Sequence, residues 1–163
     1  MTGPISTRTG PGTWFEDYPV GRRIRHARGA TIGEPEGALL AKLVMNTAQA
    51  HWNEHHLAGS PLGSGRVVFG LLTAAVTIGL TSEDTAENAL AELGLDHVRF
   101  RSPVHHGDTL SAFSEVLAAE PAPDRDDAGV VTFRHWGVDQ RDRVVFEGER
   151  SVLVKRRSHW ADR

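Results

Sequence analysis

The chain has no cysteine among its 163 residues, so disulfide scaffolds, thiol nucleophiles and thiolate metal sites are all excluded. It also lacks an excess of positive charge. Lys and Arg together number 18 against 21 Asp and Glu, for a formal net charge of −3. Proteins built to grip nucleic acid or an anionic membrane need a dense positive field, so neither is expected as a partner. Long hydrophobic runs are missing too: the longest, Val67 to Leu80, has 14 residues, whereas a membrane span takes about 20. The start, Met1 to Gly12, is small, polar and turn-rich, with no apolar stretch to serve as a signal peptide. A cytoplasmic protein is the expectation. With 39% hydrophobic residues the chain can bury one modest core.

Residues 1–13 read as a loose tail and 14–163 as a single domain, with no internal repeat and no dividing linker. Arg22 to Ala30 is a candidate first strand. Pro35 suits a first helical turn, with Glu34 and Glu36 near its positive end. Ala38, Leu39, Leu43 and Val44 then recur at helical spacing and predict the buried face of that helix. Asn46 to Ser64 is polar, His-rich and closed by Gly59, Pro61 and Gly63, which is loop chemistry. Val67 to Leu80 predicts an enclosed central helix, and Ser82 with Glu83 and Asp84 resembles a further helix start. Leu95–Arg101, Thr109–Ala119, Val130–Val138 and Arg143–Val154 carry the alternation of strands joined by short turns. Together these predict an α+β fold with an antiparallel sheet wrapped around a helix.

Nine histidines are many for this length, and they cluster. His51-Trp52-Asn53-Glu54-His55 spells H-x-x-E-H, which on a helix would put two imidazoles on one face for zinc beside a carboxylate base. No third ligand is evident, and a Gly/Pro-rich loop follows at once. The same His51 belongs to a second pattern. Six positions, Asn46 to His51, are followed by Val68-Phe69-Gly70 at the start of the central helix. Phe100-Arg101-Ser102-Pro103-Val104 and Gly107-Asp108-Thr109-Leu110 come next, after an opening Trp14-Phe15-Glu16-Asp17 and Val20-Gly21.

In this order and spacing the chain resembles the MaoC-like dehydratases, the (R)-specific enoyl-CoA hydratase group of hot-dog folds, over residues 14–156. The resemblance implies a single hot-dog domain that adds or removes water across the double bond of an enoyl thioester of CoA or acyl carrier protein. It implies no cofactor and no metal, and a homodimer with pockets along the subunit interface. His51 falls on the catalytic His, and Gly70 on the glycine whose N–H faces the thioester oxygen. Arg66, Val68, Phe69 and Arg101 become candidates for substrate binding, since Arg grips phosphate and carboxylate in bidentate fashion. Arg99 and Arg101 are otherwise solvated sheet residues, and His55, His56, His105 and His106 loop residues.

One position departs from the family. Its catalytic Asp falls on Asn46, which exchanges no proton at neutral pH. The mesaconyl-CoA hydratase-like branch looks similar around this segment, so Asn46 reads as a subfamily feature that orients water or thioester. His51 would then act as base and acid in turn. A non-catalytic acyl-thioester-binding subunit stays open beside this reading. A hot-dog thioesterase would need a carboxylate on the central helix, and Gly70 to Thr81 has none.

Overall fold

The computed structural model describes residues 12–59, 61 and 65–161. The expected tail therefore lies almost wholly outside the described residues. Thr13 is already buried, its hydroxyl accepting a hydrogen bond from Asn88. Strand β1 (Arg23–Thr31) leads to helix α1 (Glu34–Leu43), a 3-10 turn at Gln49–His51, and helix α2 (Gly70–Thr85). Strands β2 (Ala89–Phe100), β3 (Thr109–Pro121), β4 (Ala128–Val138) and β5 (Val144–Lys155) follow, then a short helix α3 (Arg157–Trp160). The five strands form one antiparallel sheet in the order β1-β3-β4-β5-β2, with α2 laid across its inner face. This is the expected α+β hot-dog architecture.

Strands β3, β4 and β5 alternate buried and half-buried residues, because one face packs on the core under α2 and the other is partly open to solvent. Their inner residues, among them Leu110, Val116, Val131, Phe133, Val145, Phe146 and Val152, form two apolar clusters that fill the space under the helix.

Four expectations are corrected. The apolar stripe of α1 does not face the core: Leu39, Leu43 and Val44 are exposed, and the buried positions are Gly37 and Ala41. Small residues let α1 lie close to the His106 loop. A Cβ on Gly37 would fall against the His106 ring. Helix α2 begins at Gly70, not Val67, because Val67 and Val68 are extended and bond to the His105 segment. It runs on to Thr85, so Ser82 starts no new helix. Its fully buried positions are Thr73, Thr77, Thr81 and Thr85 around Ala74, while Leu72, Val76, Ile78 and Leu80 pack half-buried against the core. Three of those hydroxyls bond carbonyls three or four residues back, at 2.8 Å, so each buries a methyl group with its polar atom satisfied. The helix approaches β4 so closely that a Cβ on Gly137 would lie 2.5 Å from Thr77 Oγ1. Finally, β2 starts at Ala89, six residues before the expected strand. It is a sheet edge, its register breaks in three places, and its residues show no alternation of burial.

Candidate active site

Helix α1 ends in a left-handed residue. Met45 has φ +54°, and its N–H bonds Lys42 O while the Asn46 N–H bonds Ala41 O at 2.9 Å. This is the hydrogen-bond pattern that glycine usually closes. With methionine there, and 81% exposed, the chain accepts backbone strain to turn sharply into the loop that carries the histidine. Asn46 sets that loop. Its side-chain Oδ1 accepts the Ala48 N–H at 3.0 Å, and its carbonyl accepts the Trp52 indole N–H. Among the described residues its Nδ2 has no partner.

His51 closes the 3-10 turn, half-buried. Its Nδ1 lies 2.8 Å from the carbonyl oxygen of Val67. A carbonyl can only accept, so Nδ1 carries a proton, and the tautomer this bond selects is the one with the lone pair on Nε2. That nitrogen has no partner among the described residues. The Val67 backbone is itself held on two sides: its N–H bonds Ala50 O at 3.1 Å, and the residue forms an antiparallel bridge with His105. The His51 imidazole is therefore oriented by a fixed backbone rather than by a carboxylate.

Two residues beyond Val67, the Phe69 ring packs edge-on to the His51 ring with centroids 5.6 Å apart. Phe69 caps α2, so Gly70 is the first helical residue. Its N–H has no intrahelical acceptor, and none is found among the described residues. The position also sits at the positive end of a 16-residue helix. Any side chain there would meet the Phe100 ring, 3.2 Å from the place of a Cβ. Glycine keeps that approach open. The His51 ring and the Gly70 N–H thus belong to one short segment, His51 through its contacts with the Val67 carbonyl and the Phe69 ring, and Gly70 as the next residue. An imidazole lone pair can take a proton from water, and an unbonded N–H at a helix start can hold a developing oxyanion.

The other sequence-predicted residues divide. Arg66 adjoins Val67, its side chain only 17% exposed, and its guanidinium pairs with Glu34 in the first turn of α1. The Val68 side chain is buried in the core, so only its backbone borders the site. Arg101 lies on the outer face of the sheet, opposite Phe100, where Glu147 holds it together with Arg134. Asp108 of the Gly-Asp pair is structural. Burial pushes its carboxyl up, but hydrogen bonds from Gln140 and the His105 N–H and the nearby Arg141 outweigh that and hold it below its usual range. The H-x-x-E-H stretch lies in turns, so His51 and His55 share no helix face. Among the described residues no group of three His, Asp or Glu is placed to hold a metal. The orienting carbonyl of Val67 and the ring of Phe100 were not foreseen. Both depend on chain segments that meet only in three dimensions.

A sequence model described as mesaconyl-CoA hydratase matches residues 11–156. A β-methylmalyl-CoA dehydratase from Chloroflexus aurantiacus is 35% identical over 158 residues, which cover 94% of this chain and 43% of the relative. The crystal structure of a MaoC domain dehydratase from the same organism superposes with a TM-score of 0.84 at 30% identity, over 91% of this chain and 46% of that one. A Mycobacterium tuberculosis protein described as a double hot-dog fold superposes with a TM-score of 0.80 at 24% identity, over 93% and 46%. The chain thus spans less than half the length of the curated hydratases and dehydratase it matches. With the family model matching residues 11–156 and a relative 35% identical over 94% of the chain, this chain belongs to the mesaconyl-CoA hydratase family of MaoC-like hot-dog proteins.

Proposed function

We propose that this chain is one hot-dog unit of a lyase that hydrates and dehydrates CoA thioesters of the mesaconyl/β-methylmalyl type. The reading is carried by the pairing of a tautomer-fixed His51 with the free Gly70 N–H at the start of α2. In the hydration direction His51 Nε2 takes a proton from water as the water oxygen bonds the β-carbon. The double-bond electrons shift toward the thioester, and its oxygen, now enolate, accepts the Gly70 N–H. The imidazolium then returns its proton to the α-carbon. Hydroxyl ends on one carbon and hydrogen on the other, with nothing oxidised. Asn46, fixed by its turn, has a free Nδ2 to donate to the attacking water in place of a carboxylate. The Phe69 ring walls the site, and the backbone of Val68 completes its edge.

The unit works in a pair, as a homodimer. The edge strand β2 exposes Leu93, Leu95 and Phe100; α1 and the turn after it expose Leu39, Leu43, Val44 and Met45, and α2 exposes Leu71. An exposed strand edge and an apolar surface of this extent call for a cover, and a second hot-dog unit supplies both. No helix among the described residues is long and apolar enough to cross a membrane. We place the enzyme in the cytoplasm with the CoA esters it uses.

Hydration of mesaconyl-CoA and crotonyl-CoA by the parent and by His51→Ala tests the reading. The parent hydrates at least one of them. Loss of the acid/base group lowers kcat about 100- to 10,000-fold while CoA-ester affinity stays within a few-fold. A parent that hydrates neither would overturn it, as would a variant as active as the parent.

A further inference from the structure

A monothioester of butenedioic acid, whichever carboxyl is esterified, keeps its free carboxylate on the carbon β to the thioester. That is the carbon water attacks. Negative charge there repels a hydroxide-like nucleophile, so a site for such a substrate needs a cation within a few ångströms of its base. Within residues 41–70 the only Lys and Arg are Lys42 and Arg66. The Lys42 ammonium is exposed and sits over the Trp52 ring, 5.8 Å from its centroid.

Arg66 is placed differently. Its neighbour Val67 carries the carbonyl that orients His51, and the segment is pinned by the Val67 N–H to Ala50 O and the Val68 N–H to Val104 O bonds. The root of the Arg66 side chain is therefore fixed relative to the base. Its side chain is only 17% exposed, and among the described residues only Nη2 of the guanidinium is engaged, by Glu34. The Nε and Nη1 donors remain for a second partner. Across the Val67–His105 bridge stands His106, whose pKa is lowered by burial and then by Arg66. His106 therefore adds no positive charge at neutral pH, and Arg66 is the cation that counts. Glu34 is 65% exposed, and an ion pair with one solvated partner is held weakly.

Resting on the hydratase reading above, we propose that Arg66 selects dicarboxylic enoyl thioesters. Its guanidinium takes the free carboxylate on the β-carbon of the substrate, and Glu34 is a resident counter-ion that the substrate carboxylate displaces. The fork of the guanidinium would also fix the plane of that carboxylate, and with it the face of the double bond turned to His51.

The test compares kcat/KM for mesaconyl-CoA with that for crotonyl-CoA, which has no free carboxylate, in the parent, Arg66→Gln, Arg66→Lys and Glu34→Gln. In Arg66→Gln the mesaconyl-to-crotonyl ratio falls about 10- to 100-fold, the worth of one charge-assisted hydrogen-bonded pair. Arg66→Lys recovers part of it, keeping charge but not the fork. Glu34→Gln lowers KM for mesaconyl-CoA, because the counter-ion is gone. Equal losses on both substrates in Arg66→Gln would overturn the proposal. So would a loss that vanishes when pantetheine replaces CoA, which would assign Arg66 to a CoA phosphate. A parent that hydrates crotonyl-CoA but not mesaconyl-CoA sinks this inference and leaves the hydratase reading standing. Inactivity on both sinks the two together.

Discussion

Ser114 sits between two imidazoles in the middle of the molecule, with a carboxylate at the far end of the chain. Asp84 Oδ2, His26 Nδ1, His26 Nε2, Ser114 Oγ and His135 Nδ1 are linked by three contacts of 2.7 Å each, running from α2 through β1 and β3 to β4. His135 Nε2 is buried without a partner among the described residues. An orphaned N–H costs more than an orphaned lone pair, so the proton of His135 belongs on Nδ1, donated to Ser114. Ser114 then donates to His26 Nε2, and His26 Nδ1–H to Asp84. The arrangement resembles a catalytic triad, but Ser114 is wholly buried and no substrate reaches it. Its consequence is for stability. Burial first, then Arg150 and His26, push the His135 pKa well below its usual value, so folded His135 stays neutral where the unfolded residue takes a proton. The unfolded state binds more protons below about pH 6.5, and stability falls as pH drops through that point. Urea midpoints between pH 7.5 and pH 5 should decline, and His135→Phe should flatten the decline. A midpoint independent of pH over that window in the parent would contradict this account. Nothing in the sequence links residues 26, 84, 114 and 135, because their spacing has no local period. The His51 motif was legible because its pieces lie along one stretch of chain and match a known family.

At the scale of elements, strands were easier to read than helices. One face of β3, β4 and β5 packs on a helix and one meets water, so the alternation in their sequences transmits directly to burial. Edge strand β2 has no such two-sided environment, and its first half went unread. The helices misled because hydrophobicity marks what will be covered, not by what. The apolar stripe of α1 and the Leu71 side of α2 face away from this chain's own sheet, while threonines take the inner face of α2. The helix start at Gly70 gives the most selective test of an element's role. Proline is well tolerated at a first helical position but has no N–H to donate. Gly70→Ala adds a Cβ near Phe100 and keeps the donor, so it serves as the steric control. Relative to Gly70→Ala, Gly70→Pro should lower kcat about 100- to 1,000-fold with thermal stability little changed. Equal activities would remove the N–H from the mechanism.

At the scale of the molecule, a chain of 17.8 kDa folds into one sheet and one central helix, and leaves its site open along a surface rich in exposed apolar residues. The Chloroflexus aurantiacus dehydratases it matches are about twice as long. Sedimentation equilibrium should therefore return twice the chain mass. Leu93→Glu with Leu95→Glu, placed on the β2 edge, should shift it to the monomer and lower hydratase activity with it. A monomeric, fully active parent would contradict the paired unit. The dimer was read from the family resemblance, whereas the surfaces it would cover became visible only with the helices in place.

The central claim is that this chain adds water across an enoyl thioester at His51. Incubating the parent and His51→Ala with mesaconyl-CoA and with crotonyl-CoA in oxygen-18 water, and weighing the products by mass spectrometry, tests it most directly. The account predicts an intact CoA thioester carrying one heavy hydroxyl oxygen, formed by the parent and not by the variant. Free CoA with a labelled carboxylate, or no labelled hydroxyl product from either mesaconyl-CoA or crotonyl-CoA, would contradict it.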